Sequence, residues 1–265
     1  MNRIDQLFNN KQKDILNIYF TAGYPNLEDT TTVIRNLVDN GVDLIEVGMP
    51  YSDPLADGPT IQQSGQKAIA NGMNLPLLFQ QITEVRKTTD VPIVLMGYFN
   101  QVMQYGEAAF FDRCVEAGID GLILPDLPTY EFETFYKQML EDRGLKISFL
   151  ITPQTSEARI RKIDELSTGF VYMVSDASIT GSKKGISEHQ IAYFERINAM
   201  NLSAKRLIGF GISDHSSFST ACQHANGAII GSAYIRALSS GEDIGSSTHH
   251  FIQSIKFDKQ VSVSS

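Results

Sequence analysis

The chain of 265 residues is long enough for two small domains or for one α/β barrel, which commonly takes about 250 residues. Its 30 acidic and 22 basic residues give a net charge of −8, which argues against non-specific binding to nucleic acid or to anionic membranes. The two cysteines, Cys114 and Cys222, and the five histidines show no disulfide or metal-ligand spacing, so we expect no metal site.

The polarity of residues 1–15 does not fit a signal peptide. No apolar run in the sequence reaches membrane-spanning length. We therefore expect a protein of the reducing cytoplasm.

Short runs typical of β-strands alternate with helical runs along the chain. A short helix is predicted over residues 2–9, where it would cover the bottom of the fold. Strands are predicted over residues 14–22, 44–49, 92–97, 121–124, 146–151, 170–175, 206–210 and 227–230. Helices are predicted over residues 27–40, 60–71, 75–88, 108–117, 130–143, 156–166, 188–200, 214–224 and 247–256.

This alternation predicts βαβ units and therefore parallel strands. Eight such units fit a closed (β/α)8 barrel (TIM barrel) with extra short helices better than a doubly wound sheet. No change of composition marks a linker, so we expect one domain over residues 1–265, with a polar tail at 258–265 that frays. In such a barrel the chemistry takes place at the mouth, where the strands end and run into loops.

Glu46 interrupts the apolar run of the second predicted strand, LIEVGM. A strand that is buried on both faces holds an ionisable carboxyl only at a cost, unless the group is paired or faces a pocket. Pairing with a cation is the alternative, but the basic residues Lys146 and Arg206 stand at strand starts, which is the wrong end. Because burial raises a carboxyl pKa toward neutrality, Glu46 is a candidate acid and base.

Asp57 lies in the loop that leaves the same strand, SDPLADGP. The stretch alone leaves two interpretations open, since an aspartate here could form a turn or cap the helix that follows Pro59. The presence of Glu46 on the same βα unit favours a functional role for Asp57 as well.

Glycine-containing loops follow the seventh and eighth predicted strands. They carry Gly209 and Gly211, and then Gly231 and Ser232 at the start of a short helix. Loops at these two positions of a barrel often bind phosphate through backbone N–H groups, although glycines can also serve close packing. The long loop after the sixth strand, residues 176–185, has the composition of a lid, and its Thr180 and Gly181 could complete the phosphate site.

Four aromatic residues, Tyr19, Tyr98, Tyr172 and Phe210, lie in or at the ends of predicted strands. Aromatic residues in strands more often pack in the core than bind a ligand. Four that converge on the barrel mouth would form a pocket for a flat apolar group.

The most specific motif is EVG at 46–48 followed by YSDPLADGPTIQ at 51–62. It is joined by PDLP at 125–128, Tyr172 with Thr180-Gly181, GFGIS at 209–213 and Gly231-Ser232. With these motifs the chain resembles the tryptophan synthase α subunits over nearly its whole length. One departure is Ser178, where the family usually has a glycine two residues before the threonine of the lid.

The resemblance implies retro-aldol cleavage of indole-3-glycerol phosphate to indole and glyceraldehyde 3-phosphate, in tryptophan biosynthesis. It implies Glu46 as the acid and base and Asp57 as its partner carboxylate. It also implies an αββα complex with a β subunit that carries pyridoxal phosphate, while this chain itself needs no cofactor. By position, the resemblance implies Tyr19, Tyr172 and Phe210 in an indole pocket and Gly181, Gly211 and Ser232 in a phosphate site. The residue pattern adds Tyr98 and Thr180 to the pocket and lid, and Gly231 to the phosphate site. The resemblance places the partner on the face that carries Asp53, Pro54, Asp126 and Pro128.

Two other functions were weighed against this one. The first alternative is another phosphosugar barrel, such as an epimerase or indole-glycerol-phosphate synthase. The synthase needs a catalytic lysine at a strand end, and the sequence places none there. The other is a degenerate α subunit that only activates its partner, and the presence of both Glu46 and Asp57 argues against it.

Overall fold

The computed structural model describes residues 1–175, 186–209 and 211–258. All strand pairs within these residues are parallel. The strands are β1 (Ile15–Thr21), β2 (Leu44–Gly48), β3 (Ile93–Met96), β4 (Gly121–Ile123), β5 (Lys146–Ser148), β6 (Leu150–Ile151), β7 (Val171–Val174), β8 (Arg206–Gly209) and β9 (Gly227–Ile230).

The strand order is β5-β4-β3-β2-β1-β9-β8-β7-β6. The two strands at the ends of this order, β5 and β6, are the halves of one predicted strand, and only Phe149 separates them in the chain. Since β5 pairs with β4 and β6 pairs with β7, this stretch of chain closes the ring. The predicted (β/α)8 barrel with extra short helices is confirmed.

The helices surround this ring. They are α1 (Arg3–Asn10), α2 (Asp29–Asp39), α3 (Pro59–Ala70), α4 (Leu75–Arg86), α5 (Phe99–Tyr105), α6 (Glu107–Ala117), α7 (Thr129–Glu131), α8 (Lys137–Glu141), α9 (Glu157–Leu166), α10 (Glu188–Ala199), α11 (His215–His224), α12 (Ser232–Leu238) and α13 (Ile244–Lys256). The predicted helix over 130–143 is divided, because a π-helical turn, Phe132–Tyr136, lies between α7 and α8. Helix α5 was not predicted.

Two apolar clusters hold the barrel together. The larger one lies between the strands and the outer helices, and the smaller one fills the inside of the barrel. The inner cluster includes Leu44 of β2, Val94 of β3 and Ile229 of β9, together with Ile4 and Phe8 of α1. Helix α1 thus covers the bottom of the barrel with its apolar face, as its sequence predicts.

Charges buried at the bottom of the barrel are paired. The Asp120 carboxylate accepts a hydrogen bond from Arg86 Nη2 at 2.7 Å and another from the backbone N–H of Ile93 at 2.9 Å. Arg3 also contacts Asp120, at 3.2 Å. These pairs join α1, α4, β3 and β4, so their role is to hold elements together.

In the ranges given above, every helix is too short or too polar to cross a bilayer. Expectations about the cellular compartment and about a single domain over the whole chain stay predictions. Asp258 is described, and the rest of the predicted tail lies outside the described residues.

Candidate active site

Glu46 lies on β2 with its carboxyl inside the barrel. It pairs in register with Tyr19 of β1 and Val94 of β3, and Val94 belongs to the inner cluster. Residues opposite each other on neighbouring strands point to the same face, so Glu46 and Tyr19 both point inward. The side chain of Glu46 is 0% exposed.

The environment of Glu46 raises its pKa. Asn17 Nδ2 donates a hydrogen bond to Glu46 Oε1 at 2.6 Å, whereas Oε2 has no hydrogen-bond partner among the described residues. Burial raises the pKa of Glu46 to about 8, and the bond from Asn17 counteracts part of that rise. A carboxyl with such a pKa can both give and accept a proton near neutral pH.

Asp57 lies at the mouth, in the loop between β2 and α3. Gly58 is the N-cap residue of α3 and no side chain caps this helix end, so Asp57 is not the helix cap. Its backbone N–H donates to the carbonyl oxygen of Pro54 at 3.1 Å, which places it in a turn. Its Oδ2 accepts a hydrogen bond from Tyr98 Oη at 3.3 Å. Burial raises the pKa of Asp57, and the bond from Tyr98 opposes that rise.

Helix α5 holds the Asp57 loop in place. Tyr98, just before α5, accepts a hydrogen bond from the Ala56 N–H at 3.0 Å while it donates to Asp57. Its ring stacks on Tyr51 with centroids 5.0 Å apart. Gln101 Nε2 donates to the carbonyl oxygen of Pro50 at 2.9 Å. The loop is therefore fixed at several points by a helix that the sequence analysis missed.

Tyr19 and Tyr172 lie flat over glycines of the neighbouring strands. A Cβ added at Gly48 would lie 2.2 Å from the Tyr19 hydroxyl, and one at Gly209 would lie 2.4 Å from the Tyr172 hydroxyl. Burial raises the pKa of both tyrosines, and the carboxylates of Glu46 and Asp57 raise it further. Because the charges of both acids act on both tyrosines, the two carboxyls and the two rings lie in one region at the mouth.

The described part of the predicted phosphate site lies beside this region. Gly211 follows β8 and has a φ of 78°, which favours glycine. Gly231 is the N-cap residue of α12, Ser232 is the first residue of that helix, and a Cβ at Gly231 would lie 3.2 Å from the Tyr19 ring. Three further predicted residues, Thr180, Gly181 and Phe210, lie outside the described residues, as does Ser178.

The four residues predicted to face a partner lie on two loops of the mouth. Asp53, Asp126 and Pro128 are exposed and Pro54 is partly exposed. Asp126 Oδ1 accepts a hydrogen bond from the Phe99 N–H at 2.8 Å, which ties its loop to the start of α5. The loop of Asp53 and Pro54 also carries an exposed apolar side chain, Leu55, which is 90% exposed.

A separate cavity of about 750 Å³ lies at the bottom of the barrel, lined by Arg3, Asp90 and Asp120 among others. Arg3 forms ion pairs with both Asp90 and Asp120, so the charges of these three side chains are compensated. No cluster of three or more potential metal-binding side chains occurs in the parts of the chain described here.

Sequence reasoning missed Asn17 and Gln101. Asn17 is the polar residue in the otherwise mostly apolar strand ILNIYFT, and that pattern was the signal that could have found it. Gln101 carried no comparable signal, because its role depends on a helix whose existence was not predicted.

A sequence model of the family "Tryptophan synthase alpha chain" matches residues 6–261. The tryptophan synthase alpha chain of Flavobacterium johnsoniae is 54% identical over 239 residues, which cover 90% of this chain and 94% of the relative. The crystal structure of tryptophan synthase subunit alpha from Legionella pneumophila is similar with a TM-score of 0.87 and 32% identity, and 97% of each chain is covered. The tryptophan synthase complex from Pyrococcus furiosus contains a chain with a TM-score of 0.84 and 31% identity, at 92% coverage of this chain and 98% of that one.

Proposed function

The chain belongs to the tryptophan synthase alpha chain family, a family of carbon–carbon lyases that cleave indole-3-glycerol phosphate in tryptophan biosynthesis, and we propose that Glu46 and Asp57 carry out this cleavage. The observation that carries the assignment is the buried, cation-free carboxyl of Glu46 beside Tyr19 at the barrel mouth. No other acidic group in the described part of the chain combines complete burial with a pKa near neutrality.

Glu46 moves the protons of the reaction. Retro-aldol cleavage adds a proton to C3 of the indole ring and removes one from the glycerol hydroxyl that becomes the aldehyde. Oε2 of Glu46 has no hydrogen-bond partner among the described residues, so it is the oxygen available to the substrate. A pKa of about 8 leaves both protonation states of Glu46 accessible at neutral pH, which suits a group that gives and takes a proton in one cycle.

Asp57 stabilises the charge that develops on indole. Protonation at C3 makes the ring nitrogen cationic, and a carboxylate that accepts the ring N–H offsets that charge. Burial raises the pKa of Asp57, and the hydrogen bond from Tyr98 opposes that rise and so supports the ionised form that this role requires. The rings of Tyr19 and Tyr172, with Phe210 from outside the described residues, would enclose the flat indole.

The phosphate group binds at the ends of β8 and β9. Backbone N–H groups at Gly211, Gly231 and Ser232 would donate to it, because the first N–H groups of a helix have no partner within the helix. Gly231 lies against the Tyr19 ring, so the phosphate and the indole occupy neighbouring sites. Gly181 and Thr180 would complete the site, as the resemblance implies.

Product analysis tests the activity directly. The purified chain is incubated with indole-3-glycerol phosphate, and indole and glyceraldehyde 3-phosphate are measured in parallel. The proposal predicts both products in equal amounts. If folded chain binds the substrate but releases neither product, with or without a β subunit, the chain is an activator without catalysis and the proposal is wrong.

The proposed partner is a tryptophan synthase β subunit in an αββα tetramer, with pyridoxal phosphate carried by that subunit. Support comes from the mouth itself, where Leu55 is highly exposed beside Asp53 and Pro54, and from the similar chain found in the Pyrococcus furiosus complex. We propose that the partner raises the rate of cleavage by ordering the Asp57 loop beyond its contacts with α5, together with the predicted lid at residues 176–185, which lies outside the described residues.

Partner binding is tested with Leu55→Asp, which should lower the affinity for a β subunit while the fold stays intact. Val115→Asp is the matched control, because Val115 is also an exposed apolar residue but lies at the bottom of the barrel. Hydrogen exchange of residues 53–60 should slow when partner and substrate analogue are bound. Equal affinities for both variants, or activation without slower exchange, would contradict this part of the proposal.

A further inference from the structure

Asn17 is a buried carboxamide that contacts the carboxyl of Glu46. It lies on β1, in register with Leu44 of β2 and Ile229 of β9, and both of those residues belong to the inner cluster. Asn17 is 0% exposed, and its Nδ2 lies 2.6 Å from Glu46 Oε1. Its own Oδ1 has no hydrogen-bond partner in the described part of the chain. Burying an amide oxygen without a hydrogen-bond partner costs free energy of folding. Such a group in a native structure therefore calls for an explanation, and the contact with Glu46 suggests a role in the active site.

The chemistry of an amide explains why this residue type suits the position. An ionised carboxylate accepts hydrogen bonds only, and the Nδ2 of Asn17 donates to it. A protonated carboxyl can also donate, and the Oδ1 of Asn17 accepts from it after a half-turn of the amide group. A lysine at this position would stabilise only the charged form of Glu46, and an apolar residue would form a hydrogen bond with neither form. Asn17 can thus hold Glu46 both before and after a proton transfer.

We propose that Asn17 is a positioning residue for Glu46, which it holds through Oε1 in both protonation states so that Oε2 stays directed at the substrate. This inference rests on the proposed role of Glu46 as acid and base. Asn17 itself lies in the first half of β1, below Tyr19, and its contact is to Glu46 rather than to the mouth. Its effect on catalysis is therefore exerted through the carboxyl of Glu46.

The experiment compares the pH–rate profiles of three enzymes: the wild type, Asn17→Leu and Gln81→Met. Leucine has nearly the shape of asparagine but makes no hydrogen bond, so the charged form of Glu46 loses its donor. Gln81 of helix α4 is the matched control, because it too is a buried amide that donates one hydrogen bond, to the Leu27 carbonyl oxygen. Its Oε1, like Oδ1 of Asn17, has no hydrogen-bond partner among the described residues. Both variants lose one buried hydrogen bond, and only one loses it at Glu46.

For Asn17→Leu we expect the limb of the profile that reports Glu46 to move to higher pH by up to about one unit, because the bond lost from the charged form is stronger than the bond lost from the neutral form. We also expect kcat to fall on the order of tenfold with little change in KM, because the carboxyl is less well directed while the substrate contacts remain. Gln81→Met should keep the wild-type limb and kcat. An infrared titration of the protonated carboxyl band should show the same shift without substrate.

Asn17→Asp provides a second variant in case leucine does not fold. Two carboxyls at this distance share a proton, so the limb should move to higher pH than in the wild type. A limb that stays at its wild-type pH in a folded Asn17 variant would overturn the proposal. Near-normal activity of Glu46→Gln would instead refute the proposed function, so the two failures are distinguishable.

Discussion

The raised pKa of Glu46 makes a prediction about folding that does not depend on substrate. The carboxyl has a pKa of about 8 in the folded chain, against 4.5 when unperturbed. At any pH between these values the folded state keeps the proton that the unfolded state has lost. The contribution of this group to the stability of the fold is therefore greatest below about 4.5 and falls as the pH rises toward about 8, at roughly 1.36 kcal/mol per pH unit. Above that range the loss from this group is complete, at about 5 kcal/mol.

Glu46→Gln removes this dependence, because the amide does not titrate. Urea unfolding of both proteins between pH 6 and pH 8 should show the wild type losing roughly 2 kcal/mol more than the variant over that range, because the slope declines as the pH approaches the folded pKa. The difference between the two proteins cancels the other titrating groups that they share. Glu195→Gln, the same change at an exposed position of α10, is the control and should follow the wild type.

Parallel curves for the wild type and Glu46→Gln would refute this reasoning. They would mean that Glu46 loses its proton at the same pH in the folded and unfolded chains. Burial without a cation would then not perturb the carboxyl, and the physical basis for its role as acid and base would be lost.

Other predictions concern the residues around Glu46. Asp57→Asn keeps the shape of the side chain but not its charge, so indole release should fall on the order of 10²-fold; unchanged release would leave Asp57 a turn residue. Tyr98→Phe loses the hydroxyl that bonds Ala56 and Asp57, so hydrogen exchange of residues 53–60 should become faster, and unchanged exchange would show that other contacts fix the loop. Gly48→Ala places a methyl 2.2 Å from the Tyr19 hydroxyl and should displace that ring, which would raise KM for the substrate; an unchanged KM would place indole elsewhere.

The barrel could be predicted from the sequence because the alternation of strands and helices is set by local residue patterns. Apolar runs bounded by glycines alternate with amphipathic helices, and that alternation permits few architectures. Glu46 was recognisable for a similar reason, since an acid in an apolar strand is costly and needs an explanation. The same argument applies to Asn17, but a neutral amide costs less to bury than a carboxylate and is therefore a weaker signal in the sequence.

The arrangement around Asp57 was not predictable in the same way. The stacking of Tyr51 on Tyr98 and the bond from Gln101 to Pro50 join segments that are about fifty residues apart in the chain. Such contacts depend on how β2 and β3 lie side by side, and no local pattern encodes them. Helix α5 was missed for a related reason, because its seven residues are too few to show a clear period.

The most direct test of the central claim is single-turnover release of indole from indole-3-glycerol phosphate by Glu46→Gln. The amide keeps the shape of the buried side chain and its bond with Asn17, so the variant should fold, as circular dichroism would show. With no proton to give or take, its rate should be lower than that of the wild type by at least ~10²-fold. A folded Glu46→Gln that releases indole at nearly the wild-type rate would contradict the account.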